Sequence, residues 1–558
     1  MDIVIPATLQ DALEARLDRS PAVREVAQTG AAIGREFPYE LIARTVSLSH
    51  DELDVALDDL ADTGLIFARG TPPDASYLFK HALVRDTAYD SMVRSKRQET
   101  HARIANLLAE DKSGSVEPES IAGHYENAGL FSEAVDYWFE AAQAAVAKSA
   151  NVEAINFCQR STALIEQLPE TEDNRRRLLA TLTLELQPTL PTVGYSTPAA
   201  ERLSARALTL CREVGSPEEL FRILYFCFGV LHAGGNSKAS LEAALEYAEE
   251  ARESGDEVAI MVSHRLCGSA LFTNGRPAEA LTHLQQVIDS YVPERHDVLA
   301  FRFAQDVLIA GLCYAALSTW MIGWPERAMA LVDQTSERVR ELDHPSSTIL
   351  AAMHLDCFMP LLNGSQNLLP DGAEAILRVM KVNPFAVAFV KLLDAAAHFD
   401  RDEIDLAAFE QSIHAYSESL HTAWFTSVMY LRGAQVCLTR GDFENADRLT
   451  AEADTLTKKG FDVSSQPEVF RMQGECHLAR GDLAAADDCI STALHITRQN
   501  EVKMYELRAT MSLARLRLAQ GRPPGEARVE LATIFDWFTE GFDAPDLKNA
   551  KALLDELA

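Results

Sequence analysis

The sequence predicts a predominantly all-α chain: a small winged-helix domain, built of helices plus a β-hairpin, followed by an α-solenoid of helix pairs. Three observations predict this. Short amphipathic segments and one hairpin pattern fill the first hundred residues, and a G-x-x-x-x-A turn pattern recurs from about Ser120 onward. Hydrophobic content of 47% with 24% charged residues leaves ample chain to bury a core.

The first elements follow from capping and periodicity. Thr8-Leu9-Gln10-Asp11 opens a helix through about Arg19, with Leu9, Leu13 and Leu17 on one face. Pro21 starts a second helix that stops at Gly34, and Pro38 opens a short third. Ser49-His50-Asp51-Glu52 is a capping box, followed by Leu53, Leu57 and Leu60 and stopped by Gly64. Leu65–Arg69 and Ser76–Phe79 flank a Gly-Thr-Pro-Pro-Asp turn and read as a hairpin. A winged helix invites a DNA-binding reading, but the helix in the recognition position, His50–Thr63, carries six acidic residues and no Lys or Arg. A duplex would repel it, and the net charge of −32 argues the same way for the whole chain. The basic residues Arg94, Lys96, Arg97 and Arg103 lie on a later helix and read as a solvated face. The module is expected to face protein, not nucleic acid.

From Ser120 the pattern recurs at Gly129/Ala134, Gly234/Ala239, Gly275/Ala280, Gly323/Ala328, Gly441/Ala446 and Gly481/Ala486. Gly323, Gly364, the Asp400-Arg401 turn, Gly441, Gly481 and Gly521 stand close to forty residues apart, each at a turn between two amphipathic helices. Small residues (Gly268, Ala316, Ala434, Gly474) precede four of these turns, where paired helices must approach closely. Phe470, Gly474, Gly481, Ala486 and Ala493 match tetratricopeptide positions, with a longer connection than usual. Such units stack into a superhelix with a concave face suited to a peptide or a protein segment. Expected irregularities are the wider Gly275-to-Gly323 interval, a Pro-rich break at Gln187–Pro198 and the stretch Cys357–Pro370. The expected domains are 1–112 for the winged helix, 113–187 for the first tetratricopeptide-like helices, 188–345 for the central repeats and 346–558 for the C-terminal ones.

Chemistry is sparse. No G-x-x-x-x-G-K-[ST], H-E-x-x-H, paired C-x-x-C or G-x-S-x-G occurs, so no catalytic residue, metal site or cofactor is expected. Nine scattered cysteines read as reduced thiols of a cytoplasmic protein. The N-terminus lacks a signal-peptide pattern. Val307–Trp324 is uncharged over a length near that of a membrane span, yet its glycines, Ser-Thr pair and terminal Trp-Pro fit a central helix buried in the array. One polar constellation, His296, Arg302, Gln305 and Asp306, surrounds the start of that helix. It suits either a contact in the groove or a buried hydrogen-bond network that fixes the angle between repeats.

Several long stretches carry a resemblance: IPATLQDALEARLDR, GAAIGREFPYELI, TPPDASYLFKHALVRDTAYDSMVRSKRQETHARIA, GHYENAGLFSEAVDYWFEAAQAAVAKSANVEAI and FAQDVLIAGLCYAALSTWMIGWPERA. They resemble bacterial signalling proteins in which a class III adenylate/guanylate cyclase domain precedes a STAND-type ATPase, a winged helix and tetratricopeptide repeats. The chain begins where that ATPase core ends, so the resemblance brings no catalytic residue. Near Gln305-Asp306 the family often reads Gly-Gln-Asp-Pro, whereas Ala304 and Val307 flank the pair here. KHALVRDTA is similar to the family's MHDLVxDLA. The resemblance places His81 at the histidine that contacts the β-phosphate of ADP in STAND ATPases, with Ala82 replacing the aspartate. The expected function is a non-catalytic regulatory module. Its repeats would bind protein or peptide, and its winged helix would couple to a separately encoded NTPase or cyclase. The alternatives are the C-terminal part of such a cyclase and, less in keeping with the acidic third helix, a transcription regulator.

Overall fold

A computed structural model describes residues 16–17, 19–111, 116–148, 150–193, 197–303, 305–362 and 384–558, and two compact units meet between Pro188 and Thr189. The first predicted helix and the turn residue Gly364 lie outside the described residues, except for Arg16, Leu17 and Arg19.

Unit 1 opens with α1 (Pro21–Ile33), β1 (Glu36–Pro38), α2 (Tyr39–Thr45), α3 (His50–Asp62), β2 (Ile66–Arg69), β3 (Ser76–Phe79), α4 (Ala82–Asp90) and α5 (Arg94–Ala109). Ser49 and Glu52 form the predicted capping box of α3. The hairpin is joined by a third strand that the sequence pattern hid, giving the antiparallel order β1-β3-β2. β1 is three residues long and ends in proline, which lacks a ladder donor and suits only an edge. Phe37, Ile42, Leu53, Leu57, Leu60 and Phe79 are the buried centre of this part. Then follow α6 (Pro118–Ala128), α7 (Phe131–Ala147), α8 (Asn151–Ile165) and α9 (Glu172–Val193), each packed on its predecessor or successor around Ala134, Trp138 and Leu164.

The expected Pro-rich break begins later than predicted, because α9 runs through Pro188 to Val193. Each internal proline removes one helical donor. Leu186 and Leu190, four residues apart and fully or almost fully buried, hold the turn in place across that loss. The fold boundary nevertheless falls at Pro188.

Unit 2 is a chain of antiparallel helices in two sub-arrays. The first contains α10 (Pro198–Val214), α11 (Pro217–Ala233), α12 (Ser237–Ser254), α13 (Glu257–Thr273), α14 (Pro277–Ser290), the short α15 (Pro293–His296) and α16 (Leu299–Phe303), α17 (Val307–Met321), α18 (Pro325–Leu342), α19 (Pro345–Ala351), a π-helical turn (Ala352–Phe358) and α20 (Met359–Leu362). The two short helices account for the wide Gly275-to-Gly323 interval. α17 is the uncharged segment, and nearly every residue on it is buried among neighbouring helices. Among the described residues no helix is long and apolar enough to cross a membrane. The irregular stretch expected at Cys357–Pro370 is helical to Leu362, and its remainder lies outside the described residues.

The second sub-array contains α21 (Pro384–Asp400), α22 (Leu406–Leu420), α23 (Thr426–Thr439), α24 (Phe443–Lys458), α25 (Gln466–Ala479), α26 (Leu483–Gln499), α27 (Lys503–Ala519), α28 (Pro524–Phe535) and α29 (Pro545–Glu556). Small residues do what their spacing predicts. A Cβ on Gly474 would sit 2.5 Å from Ile490, and one on Gly268 2.5 Å from Leu284, so paired helices meet there almost backbone to side chain.

An open superhelix is not the whole description. The turns of the first sub-array press against loops of the second. Thr422 Oγ1 donates to the Ala233 carbonyl (2.6 Å), Ala423 N to Gly234 O (3.1 Å) and Ser237 N to Gly460 O (2.9 Å). Farther along, Glu540 accepts from the amides of Glu326 and Arg327 (3.0 and 3.1 Å), and Gly541 N donates to Glu326 (2.9 Å). A single apolar core runs from Leu271 to Leu557 through both sub-arrays.

Candidate functional site

One face of the second sub-array holds a groove of about 610 Å³. Its walls come from equivalent positions on three alternate helices, α23, α25 and α27. Thirteen residues before the turn glycines Gly441, Gly481 and Gly521 stand Val428, Glu468 and Arg508; ten before, Leu431, Arg471 and Met511; six before, Gln435, Glu475 and Arg515. Those offsets are one helix face, since positions three, four and seven apart align on an α-helix. Asp546 and Asn549 on α29 extend the wall, and Leu362 closes one end.

Charges on this face are paired in a chain. Glu468 accepts from Arg471 Nε (3.0 Å) and Arg508 Nη1 (3.3 Å), and Arg508 makes a two-pronged contact with Asp546 (3.0 and 2.8 Å). Arg508 also donates to the Leu362 carbonyl. Glu475 accepts from Ser512 (2.5 Å) and Arg515 (3.2 Å). Burial alone would raise the Glu468 carboxyl, but Arg471 and Arg508 outweigh it and hold the group below its ordinary value. Burial works against the Arg508 charge too, and Asp546 and Glu468 overcome it. The four groove arginines stand against three carboxylates, a local balance unlike that of a chain carrying −32 overall. Such fixed, mutually satisfied charges are a preorganised polar floor beside the apolar Val428, Leu431, Leu438, Leu478 and Met511.

The sequence constellation is placed elsewhere, in the first sub-array. Asp306 is wholly buried and caps α17 through Ile309 N (2.8 Å), accepting also from Tyr291 Oη (2.6 Å), while its own amide donates to Ser347 (2.9 Å). Arg338 lies 3.6 Å from the same carboxylate. His296 is buried and accepts from Val292 N through Nδ1 (2.9 Å). Gln305 accepts from Arg265 (2.7 Å). Arg302 falls on α16, with its side chain outside the described residues. His296 and Asp306 share Tyr291, whose ring packs on His296 and whose hydroxyl meets Asp306, whereas Gln305 turns to α13. These contacts draw on α13, α15, α17, α18 and α19, and none of their residues lines the groove.

His81 stands where β3 turns into α4. Its ring is exposed, and its side chain makes no capping hydrogen bond. Beyond it, a polar chain that the sequence did not signal joins three helices of unit 1. The Tyr89 hydroxyl meets His101 Nε2 (2.9 Å), and His101 Nδ1 meets His124 Nδ1 (2.8 Å). Two facing Nδ1 atoms can share only one proton. Burial, together with the neighbouring His124 and Arg97, pushes His101 down to about 4, and burial pushes His124 to about 4. Among the described residues no group of three or more His, Cys, Asp or Glu is placed to hold a metal.

Comparison with known proteins gives likenesses in sequence and in structure. No family model matches the chain. An uncharacterized protein of Rhizobium meliloti is 27% identical over 325 residues, 57% of this chain and 31% of that protein. The matched segment thus spans about a third of its relative's length. Among solved structures, the Cut9-Hcn1 hetero-tetramer of the APC/C aligns over 91% of each chain with 13% identity and a TM-score of 0.45. A STAND protein with a tetratricopeptide repeat sensor from Pyrococcus horikoshii aligns over all of this chain and 67% of its own, at 11% identity and a TM-score of 0.29. A Rap protein complexed with competence and sporulation factor aligns over 76% of this chain and all of its own, at 12% identity and 0.37. Each is a likeness at low score, and none assigns a role to this chain.

Proposed function

We propose that this chain is a non-catalytic signal-transduction module whose groove on α23, α25, α27 and α29 takes an extended protein or peptide segment. The groove carries this reading: one face of three alternate helices supplies an apolar wall and a paired polar floor. Neighbouring helices pack roughly 8–10 Å apart, so four of them offer about 27 Å, enough for about eight extended residues. Unit 1, read as a winged helix, is the part that would pass the signal to an NTPase or cyclase. The exposed carboxylates of α3 make it a poor match for a phosphate backbone.

The test is a binding screen of the full chain against an immobilised library of eight-residue peptides. Sequence-selective binders are expected, and Gln435→Trp, which fills the groove from an exposed position, should weaken them at least tenfold. A library that yields no selective binder, or binders indifferent to Gln435→Trp, sinks the groove reading. Heat from Mg-ATP titration, or cyclic nucleotide formed by the purified chain, would overturn the non-catalytic reading.

A second reading, the C-terminal part of a working ATPase or cyclase, is favoured by the exposed His81 at the strand-to-helix corner. Exposed His81 at the start of α4 is then the residue that meets a bound nucleotide in the complete assembly, since an imidazole at a helix start can donate to phosphate. His81→Ala should change the activity of an ATPase partner while leaving the stability of this chain within about 0.5 kcal/mol. Equal partner activity with and without His81 leaves it a corner residue.

A further inference from the structure

We propose that unit 2 is a closed clamp, in which the helix-pair turns of the first sub-array grip loops of the second and so hold α27 in the position that sets the groove's width. The inference goes beyond the groove reading: the clamp stands on its own contacts, and only its consequence for binding rests on the groove.

Three turns make the grip. At the first, Gly235 (φ +82°) lies so close to the 421–425 loop that an added Cβ would meet Trp424 N at 2.7 Å. The Thr422 hydroxyl and the backbone amides of Ala423 and Ser237 fix the same turn, and Asn236 bridges Phe461. At the second, Gly275 rests on Ser464, with 3.4 Å from its Cβ position to Ser464 Cα. At the third, a Cβ on Gly323 would stand 2.6 Å from the Trp537 ring and 2.9 Å from Lys503, and one on Gly541 2.5 Å from Pro325. Glu540 holds this turn through two amides, and Trp324 packs on Trp537 at 5.2 Å. The gripping loop is itself unusual, because Phe425 and His421 adopt φ of +68° and +46°, the left-handed region that side-chain-bearing residues rarely enter. Phe425 is buried against Phe358 of the π-helical turn and Phe389. A strained, buried aromatic persists only where surrounding contacts over-determine it.

The link to the groove is α27. Its first turn meets the third grip through Lys503 beside Gly323 and Tyr505 beside Trp320. About one turn on, Arg508 binds Leu362, the last described residue of the first sub-array, and Asp546. Then Met511 and Arg515 line the groove. Loosening the turns therefore frees the helix that forms one groove wall.

Four of the five tryptophans (Trp320, Trp324, Trp424, Trp537) lie at the grip and only Trp138 lies in unit 1, so intrinsic fluorescence reads the clamp. The experiment compares the full chain carrying Gly235→Ala and Gly323→Ala with a control carrying Gly441→Ala and Gly481→Ala. The control glycines have the same positive φ but nothing within 4 Å of the Cβ position. The clamp variant should show red-shifted tryptophan emission, a larger radius of gyration by small-angle scattering and faster amide exchange in 503–519, with helical circular dichroism retained. The control should keep the parent's emission and radius. Parent-like emission and radius in the clamp variant, or equal changes in both variants, would overturn the clamp. Should the glycine variant fail to fold, Glu540→Ala with Thr422→Val decides: unchanged emission and exchange in that variant also overturns it. Loss of peptide binding in the clamp variant but not the control connects clamp to groove. Opening with parent-like binding leaves the groove reading standing and refutes the coupling.

Discussion

The turns of the two sub-arrays look interchangeable in sequence and are not so in structure. Gly235, one residue past the Gly234 that the sequence pattern marked, takes positive φ between paired helices together with Gly275 and Gly323 on one side and Gly441, Gly481 and Gly521 on the other, while Gly234 itself stays right-handed. For the second set, backbone conformation is the whole requirement, because nothing stands within 4 Å of a Cβ. Gly235 and Gly323 have a second requirement, the space occupied by Trp424, Trp537 and Lys503. One repeat signature thus serves two ends: a turn in one sub-array, a turn and a socket in the other.

The widest separation is expected from single substitutions. Gly323→Ala adds overpacking to left-handed strain, about 3 kcal/mol or more in total, whereas Gly521→Ala pays strain alone, about 1 kcal/mol. Urea midpoints measured on the two variants check this, and equal losses would erase the distinction between the two sets. Next comes Asp462, in the loop that receives the first two turns. It is buried and accepts from Ser427 N (3.3 Å), and burial raises its carboxyl to about 7 despite that bond. The folded state binds this proton more tightly than the unfolded state does. Its contribution is full below about pH 4 and is lost as the pH rises toward 7. Asp462→Asn should remove that decline and gain about 2 kcal/mol at pH 7, read as melting temperature against pH. Glu540→Ala should cost about 1–2 kcal/mol by stripping two amides of their acceptor, and the cost should vanish in a chain already opened by Gly323→Ala.

The smallest effect should lie in unit 1 and have the opposite sign. His101 and His124 are held neutral, so their contribution is full above pH 6.5 and fades as the pH falls toward 4. His101→Gln should flatten that acid limb, by about 1 kcal/mol at pH 5, in hydrogen exchange of α5 and α6.

Legibility in the sequence followed the range of the interactions. Caps, turn glycines and small residues at helix crossings act within a few dozen residues, and the structure places helices and turns where they point. Even the groove was written there, since Glu468 and Arg508, or Gln435, Glu475 and Arg515, occupy the same register, but a register of charges reads equally as a solvated face until the helices are stacked. The grip was not legible at all. Gly541 and Glu326 are 215 residues apart, and no local pattern marks Glu540 as the acceptor for a distant turn. β1 escaped notice because three residues ending in proline carry no alternation to detect. The sequence grouped Asp306 with His296, Arg302 and Gln305, and nothing local marked Arg338, more than thirty residues on, as its neighbour.

Linear helical arrays ordinarily fold from any nucleus and fray from either end, because each unit touches only its neighbours. Here one apolar core spans Leu271 to Leu557, and hydrogen bonds close loops of roughly two hundred residues. Such closures raise the mean sequence separation of contacts, which slows folding and binds distant segments into one cooperative transition. Removing α29 should therefore not trim a single unit from the end. It should lower the unfolding midpoint of helices as far back as α17 in the same step, where an open array would lose only its last pair.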